Sequence, residues 1–443
     1  MGRGSLLENG RVVLKTFIFI AASAHGTVAH CQNLEATARN DSPVEFARLI
    51  ERAWHAWESG DVRKTHALAR NLAEIPSTSA AGFHLLSYVA LVKGDYEKSL
   101  GYHRQIDANY PRYSDLDRPM IEALTHLGRY GDALAFAKGR GVTDEWTVAS
   151  LGYLAANPPS VELHSVSIIP FLDDPFTQYI PAFSTQINGR QVISHLDTGG
   201  THVVMSPELA SELGIATMDV CTVGHANGVD TKMCRGSANM RLGEARLTNI
   251  PVLTVESLPP AFKRRAIFGT SVLQQFLSTI DYPHQRLVLS PRHDLRQNHL
   301  SMLPRDVVRM PFFMWSDHYM FARGSFGGFE DLNLFIDSGL CSVDGNGRQA
   351  AFQVNTDKLE DWGFDPVFLQ SHVFFAVEEP ISLGALHQTG QLLVHGRKST
   401  IRSLGGVRID GLLGHAFLKQ YAWTIDFAKH EYLFHNPLHP SGE

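Results

Sequence analysis

His195-Leu196-Asp197-Thr198-Gly199 and Phe335-Ile336-Asp337-Ser338-Gly339 decide how this chain is read. Each closes a strand-like run with an acid, a small hydroxyl residue and a glycine, and the two acids stand 140 positions apart. Two further landmarks recur downstream in the same order. Ile267-Phe268-Gly269 opens an amphipathic stretch ending at Phe276, and Leu412-Leu413-Gly414 opens one ending at Tyr421. The closing runs are Ser278-Thr279-Ile280-Asp281-Tyr282 and Trp423-Thr424-Ile425-Asp426-Phe427. The glycines and the closing acids both recur at 145 positions, so the second copy carries about five extra residues between its first two landmarks. Three ordered elements at matched spacing read as a duplicated β unit.

The surroundings fit that reading. Phe183 to Ile187 and Gln191 to Ser194 flank Asn188-Gly189, the signature of a two-residue hairpin turn. Short β-branched and aromatic runs broken by Gly and Pro continue to the end of the chain. Upstream, Pro158-Pro159 cannot continue a helix and marks a linker. From Pro43 to Gly141 the texture is helical, with apolar residues at three- and four-residue spacing. Gly60-Asp61, Gly94-Asp95 and Gly128-Arg129 recur every 34 residues, as do Tyr96 and Tyr130. That period is the tetratricopeptide length, and the segment resembles such repeats. A repeat of this kind buries its apolar face only against a neighbour, which leaves a concave surface for a protein partner.

Composition sets the outer bounds. The chain has 443 residues, 44% hydrophobic and 19% charged, which excludes a disordered polymer. A net charge of -6 argues against a nucleic-acid partner. Arg3, Arg11 and Lys15 precede the short apolar run Phe17 to Ala22, with small residues at Ala24 and Ala29. This pattern reads as an export signal over 1–29 and places the protein outside the cytoplasm, secreted or periplasmic. The run is too short for a stable membrane span. Among the cysteines, Cys221 and Cys234 are candidates to pair in an exported protein, leaving Cys341 single. The 22 histidines fall into no zinc-binding spacing: His430-Glu431 is followed by His435, one position too far. Gly396-Arg397-Lys398-Ser399-Thr400 lacks the spacing of a phosphate loop, and no nucleophile elbow is apparent. No metal or other cofactor is implied.

Each β copy, with its Asp-Thr/Ser-Gly and its later apolar-apolar-Gly, resembles one lobe of the pepsin and retropepsin superfamily. The upstream Ile187-Asn188-Gly189 and the downstream Pro207-Glu208-Leu209 stretch give the first copy the look of a bacterial retropepsin-type lobe. The resemblance runs from about Phe171 to His435. It implies a multidomain chain: a signal at 1–29, an α-helical tetratricopeptide-like repeat domain at 43–150, and a mainly-β bilobal acid-protease fold with lobes at 165–300 and 301–443. It implies an aspartic endopeptidase acting on a peptide or protein, with Asp197 and Asp337 catalytic. Thr198, Gly199, Ser338 and Gly339 support the two acid loops, and the hydroxyls fix the pair across the lobe interface. A Gly-rich hairpin tip, with Gly224, His225 and Gly228, forms a flap over the substrate, and a Cys221–Cys234 disulfide would brace its base.

The chemistry needs two such acids. Like charges at hydrogen-bond distance cannot both ionise, so a carboxyl pair holds one proton between its members. The ionised member takes a proton from water while the protonated member polarises the scissile carbonyl. Two positions depart from the family pattern: Gly200 and Leu340 stand where a small residue such as Ala, Ser or Thr usually follows the glycine. Leu340 favours an alternative reading as an inactive peptide-binding module. A second alternative is a scaffold acting through the helical repeats. His195, two residues before Asp197 on the same strand face, reads as a structural histidine.

Overall fold

The computed structural model describes residues 42–226, 229–292, 307–396 and 401–435, together with the two-residue strand Phe19–Ile20. Apart from that strand, which pairs with His225 and Ala226, the expected export signal lies outside the described residues. Seven helices come first: α1 (Ser42–Glu58), α2 (Val62–Glu74), α3 (Ser79–Val92), α4 (Tyr96–His103), α5 (Asp117–His126), α6 (Tyr130–Gly139) and α7 (Glu145–Ala156). The spacing of apolar residues explains each buried face. In α2, Val62, Thr65, Leu68, Ala69 and Leu72 face inward at three- and four-residue steps. Gly60, Gly94 and Gly128 end α1, α3 and α5 with φ of 71°, 74° and 70°, the left-handed turn that releases the chain into the next helix.

Two of those glycines are needed a second time. A side chain at Gly60 would collide with Asn333, and one at Gly94 with His430, so both turns lie flat against the second β unit. Asn333 Nδ2 donates to Ser59 O at 3.0 Å, His430 Nδ1 lies 3.0 Å from Val92 O, and Trp57 Nε1 donates to Gly405 O at 2.8 Å. Trp57, Tyr88, Trp315, Phe335 and Leu412 belong to one hydrophobic core. The helical layer is therefore built onto the β region rather than tethered to it. It also runs past the expected boundary at 150, because α7 continues to Ala156 before Pro158 and Pro159 stop it. Strand Ser160–Glu162 already pairs with Ala245–Val255, so β structure begins ahead of residue 165.

The β region contains two sheets of the same internal order. In the first, Arg190–Leu196 pairs parallel with Ala266–Phe268, which pairs antiparallel with Val203–Met205, which pairs parallel with Ala245–Val255. In the second, Phe329–Asp337, Gly411–Gly414, Phe352–Asn355 and Gln391–Gly396 repeat that order and polarity. A six-stranded sheet lies between them, with Phe276–Asp281 paired antiparallel to Ala422–Asp426 at its centre. Thr279 and Thr424 face each other there, their hydroxyls 2.7 Å apart. They are separated by the same 145 positions as Gly269 and Gly414.

Candidate active site

Each acid is delivered by a parallel strand pair. Leu196 lies beside Phe268 and Asp337 beside Gly414. Asp197 N donates to Phe268 O at 3.0 Å. Beyond each acid the chain turns sharply, and the acid accepts from its own turn: Gly199 N to Asp197 Oδ1 and Gly339 N to Asp337 Oδ1, both 2.8 Å. The turns then lock to each other. Thr198 N donates to Ser338 Oγ at 3.0 Å, and Ser338 N donates to Thr198 Oγ1 at 2.9 Å. Thr198 Oγ1 also donates to Ile336 O at 3.4 Å. The reciprocal exchange brings the acids face to face. A Cβ on Gly199 would strike the Asp337 carboxyl, and one on Gly339 would strike that of Asp197. Only glycine permits this approach.

Both aspartates are completely buried, and their carboxyls lie within hydrogen-bonding reach of each other. Burial followed by the charge of Asp337 pushes the Asp197 carboxyl far above the ordinary range. Burial also pushes Asp337 up, to about 6, but the Gly339 N–H and neighbouring donors hold it back. Over the range between the two ionisations the pair therefore holds one proton between its carboxyls.

The remaining expected residues divide. Cys221 and Cys234 face each other across the hairpin Thr217–Ala226/Val229–Leu242 and are disulfide-bonded, with Cα atoms 4.4 Å apart. Gly224 is buried in the first of these strands, and His225 pairs with Asp230 near the tip. Gly228 lies outside the described residues. His195 is held away from the acids by Ile180 O and Arg265, and burial pushes its imidazole down to about 4. The Leu340 side chain is buried against Gly414, and the Gly339 N–H bond to Asp337 is intact beside it. Gly200 uses its carbonyl as an acceptor for Thr270 N at 2.9 Å.

Sequence reasoning missed the Asp317-His318 turn of the second unit, which docks on the first acid loop. His318 Nδ1 lies 2.6 Å from Thr201 Oγ1, and Asp317 O accepts from Thr270 Oγ1 at 2.7 Å and from Gln274 Nε2 at 2.6 Å. It also missed Tyr282, whose buried ring lies 5.0 Å from that of His415 and whose phenol burial keeps neutral. No local motif marks these residues, since their partners lie over a hundred positions away or in the opposite unit.

A turn-locked pair of buried carboxyls is an arrangement in which one proton is shared between two acids. The family model of the gag-polyprotein putative aspartyl protease matches residues 183–275. The match takes in Asp197, its turn, the disulfide-braced hairpin and Gly269, and it ends before Asp337. No curated protein matches the chain. At the level these observations reach, an N-terminal helical region precedes a mainly-β region with an aspartyl-protease-like fold. Among the described residues, no helix is long and apolar enough to cross a membrane.

Proposed function

We propose that the protein is a single-chain aspartic endopeptidase in which Asp197 and Asp337 activate a water between them. The observation that carries this reading is the reciprocal Thr198–Ser338 lock, which sets two carboxyls from distant stretches of chain against one another. The ionised member of the pair takes a proton from the attacking water, and the protonated member donates toward the carbonyl oxygen of the scissile bond. The proton taken from water then passes to the leaving amine.

Because both acids are buried, a peptide reaches them only after a covering element moves. We assign that movement to the part of the hairpin beyond the disulfide, 221–226 and 229–232, because from Met233 onward the second strand is paired to Ala245–Val255. Substrate would lie extended in the opened groove, held by main-chain hydrogen bonds. On this reading the two β units are duplicated retropepsin-type lobes, the helices are tetratricopeptide-like repeats that dock a protein partner, and the N-terminal segment exports the chain to the periplasm or beyond. The test is hydrolysis of an unfolded protein in ¹⁸O-water. A single ¹⁸O in each new C-terminus, abolished by a pepstatin-type inhibitor, is expected. Binding of the inhibitor without any cleavage across acid to neutral pH would replace the peptidase reading by a peptide-binding module.

A further inference from the structure

His126, the last residue of α5, is a nearly buried histidine that the mechanism above does not use. Its ring lies parallel to that of Tyr96, from α4, with 4.4 Å between centroids. Tyr96 is one of the tyrosines that recur at the 34-residue period. From there His126 meets the tip of a hairpin of the second β unit, whose strands are Phe313–Trp315 and Tyr319–Phe326. His126 Nε2 lies 3.3 Å from both Ser316 O and Asp317 Oδ1. A carbonyl only accepts, so Nε2 carries the proton that this contact needs.

The tip needs such a clamp. Ser316 has a φ of 59°, in the left-handed region that a serine keeps only where its surroundings enforce it. The base of the hairpin is firm: Trp315 packs in the core shared with α1 and α3, its ring 6.2 Å from that of Trp57 and 5.2 Å from that of Tyr88. The far side of the tip holds the first acid loop. Asp317 O accepts from Thr270 Oγ1 and from Gln274 Nε2, and His318 Nδ1 lies 2.6 Å from Thr201 Oγ1. Thr270 N in turn donates to Gly200 O at 2.9 Å, and Ser271 N to Thr201 O at 2.8 Å. Gly200 and Thr201 stand three and four residues beyond Asp197. Direct contacts therefore lead without a break from Tyr96 and His126 to the backbone that carries Asp197.

We propose that His126 is a positioning residue for the first acid loop, so that the helical layer forms part of the catalytic apparatus. The consequence for catalysis rests on the peptidase reading; the hold on the loop does not. His126 acts through the hairpin tip and touches neither acid. Without the imidazole, Ser316 O and the Asp317 carboxylate lose their donor, the left-handed turn relaxes, and Thr270, Gln274 and Thr201 lose fixed partners. Asp197 then strays from the alignment with Asp337 that shared acid–base chemistry requires. The loss falls on kcat rather than KM, because the contacts concern the acid loop and not the bound peptide.

The experiment uses the full chain and compares wild type, His126→Ala, His126→Gln and Arg140→Ala. Glutamine places an amide nitrogen near the position of Nε2 and keeps the donor. Arg140→Ala breaks the 2.7 Å ion pair with Asp117 at the opposite end of α5 and serves as the control for a merely loosened helix. Backbone hydrogen exchange read by mass spectrometry without substrate should quicken by about threefold or more at 198–202 in His126→Ala, with Phe276–Asp281 unchanged. On an unfolded protein substrate the same variant should lose about tenfold in kcat with KM held. His126→Gln should restore most of both, and Arg140→Ala should alter neither. Should His126→Ala not fold, Asp317→Ala, which removes the carboxylate that His126 meets, is read in its place. Exchange at 198–202 that stays at the wild-type rate, an equal change in Arg140→Ala, or an active enzyme whose kcat does not fall overturns the positioning role and leaves the peptidase reading intact. A wild type that cleaves nothing sinks the peptidase reading alone, and the exchange rates then decide the role of His126.

Discussion

Asp337→Asn should kill turnover and yet stabilise the fold at neutral pH. The carboxyl is completely buried and is pushed up to about 6 from 3.8, with burial as the main cause. At about 1.4 kcal/mol per pKa unit, holding it ionised in the fold at pH 7 costs about 3 kcal/mol relative to the unfolded chain. The amide keeps the acceptor for Gly339 N–H, a 2.8 Å bond in the native protein, and removes the charge. The sign follows from proton binding. Between pH 3.8 and 6 the folded protein holds the Asp337 proton more tightly than the unfolded chain does. This group's contribution is therefore most favourable below 3.8 and is lost as pH rises through 6. The variant should exceed the wild type by up to about 3 kcal/mol at pH 7, and the gap should close toward pH 3.5, where the acid is protonated in both states. Urea unfolding followed by tryptophan fluorescence at both pH values reads the difference, with Trp423 buried in the sheet between the units as a native reporter. A variant no more stable than the wild type at pH 7, or a gap that ignores pH, would refute the idea that Asp337 carries a desolvated charge.

Other consequences follow from the same geometry. The acid limb of kcat/KM should rise through about pH 6, because one member of the pair must be ionised to act, and a limb centred near 4 in a pH-rate profile would contradict this. Gly199→Ala or Gly339→Ala should cut kcat by roughly a hundredfold or more while a folded protein is retained by circular dichroism, since the added methyl displaces the opposite carboxyl. Thr198→Val should destabilise by about 1–3 kcal/mol in denaturant titrations, because it leaves the buried Ser338 N–H without its 2.9 Å acceptor. Trp57→Phe should lower the melting temperature of the whole molecule in one transition, since it removes the 2.8 Å bond to Gly405 O inside a core shared by helices and β structure; a separate early transition would mean independent units.

The acids and their turns were legible because the chemistry is local. A strand must end, an acid must follow, and a glycine must let a second carboxyl approach, so the requirement is written in five consecutive residues and written twice. The turns at Gly60, Gly94 and Gly128 were legible for the same reason, since a left-handed turn leaves its mark at one position. Leu340 was legible only as an unexpected large residue; its place in the fold, filling space against Gly414 beside an intact bond from Gly339 N–H to Asp337, was not. The docking of helices onto the second unit was not legible, because Asn333, His430 and Trp57 look like ordinary residues until the tertiary fold sets each against a turn or a carbonyl. The complete burial of the pair was hidden similarly, since burial belongs to assembled surfaces rather than to any segment.

The most direct measurement incubates wild type, Asp197→Asn and Asp337→Asn with an unfolded protein between pH 5 and 8 and counts new peptide termini by mass spectrometry. The account predicts cleavage by the wild type and none above background by either folded variant. Wild-type rates from either one would show that the two carboxyls do not share the chemistry.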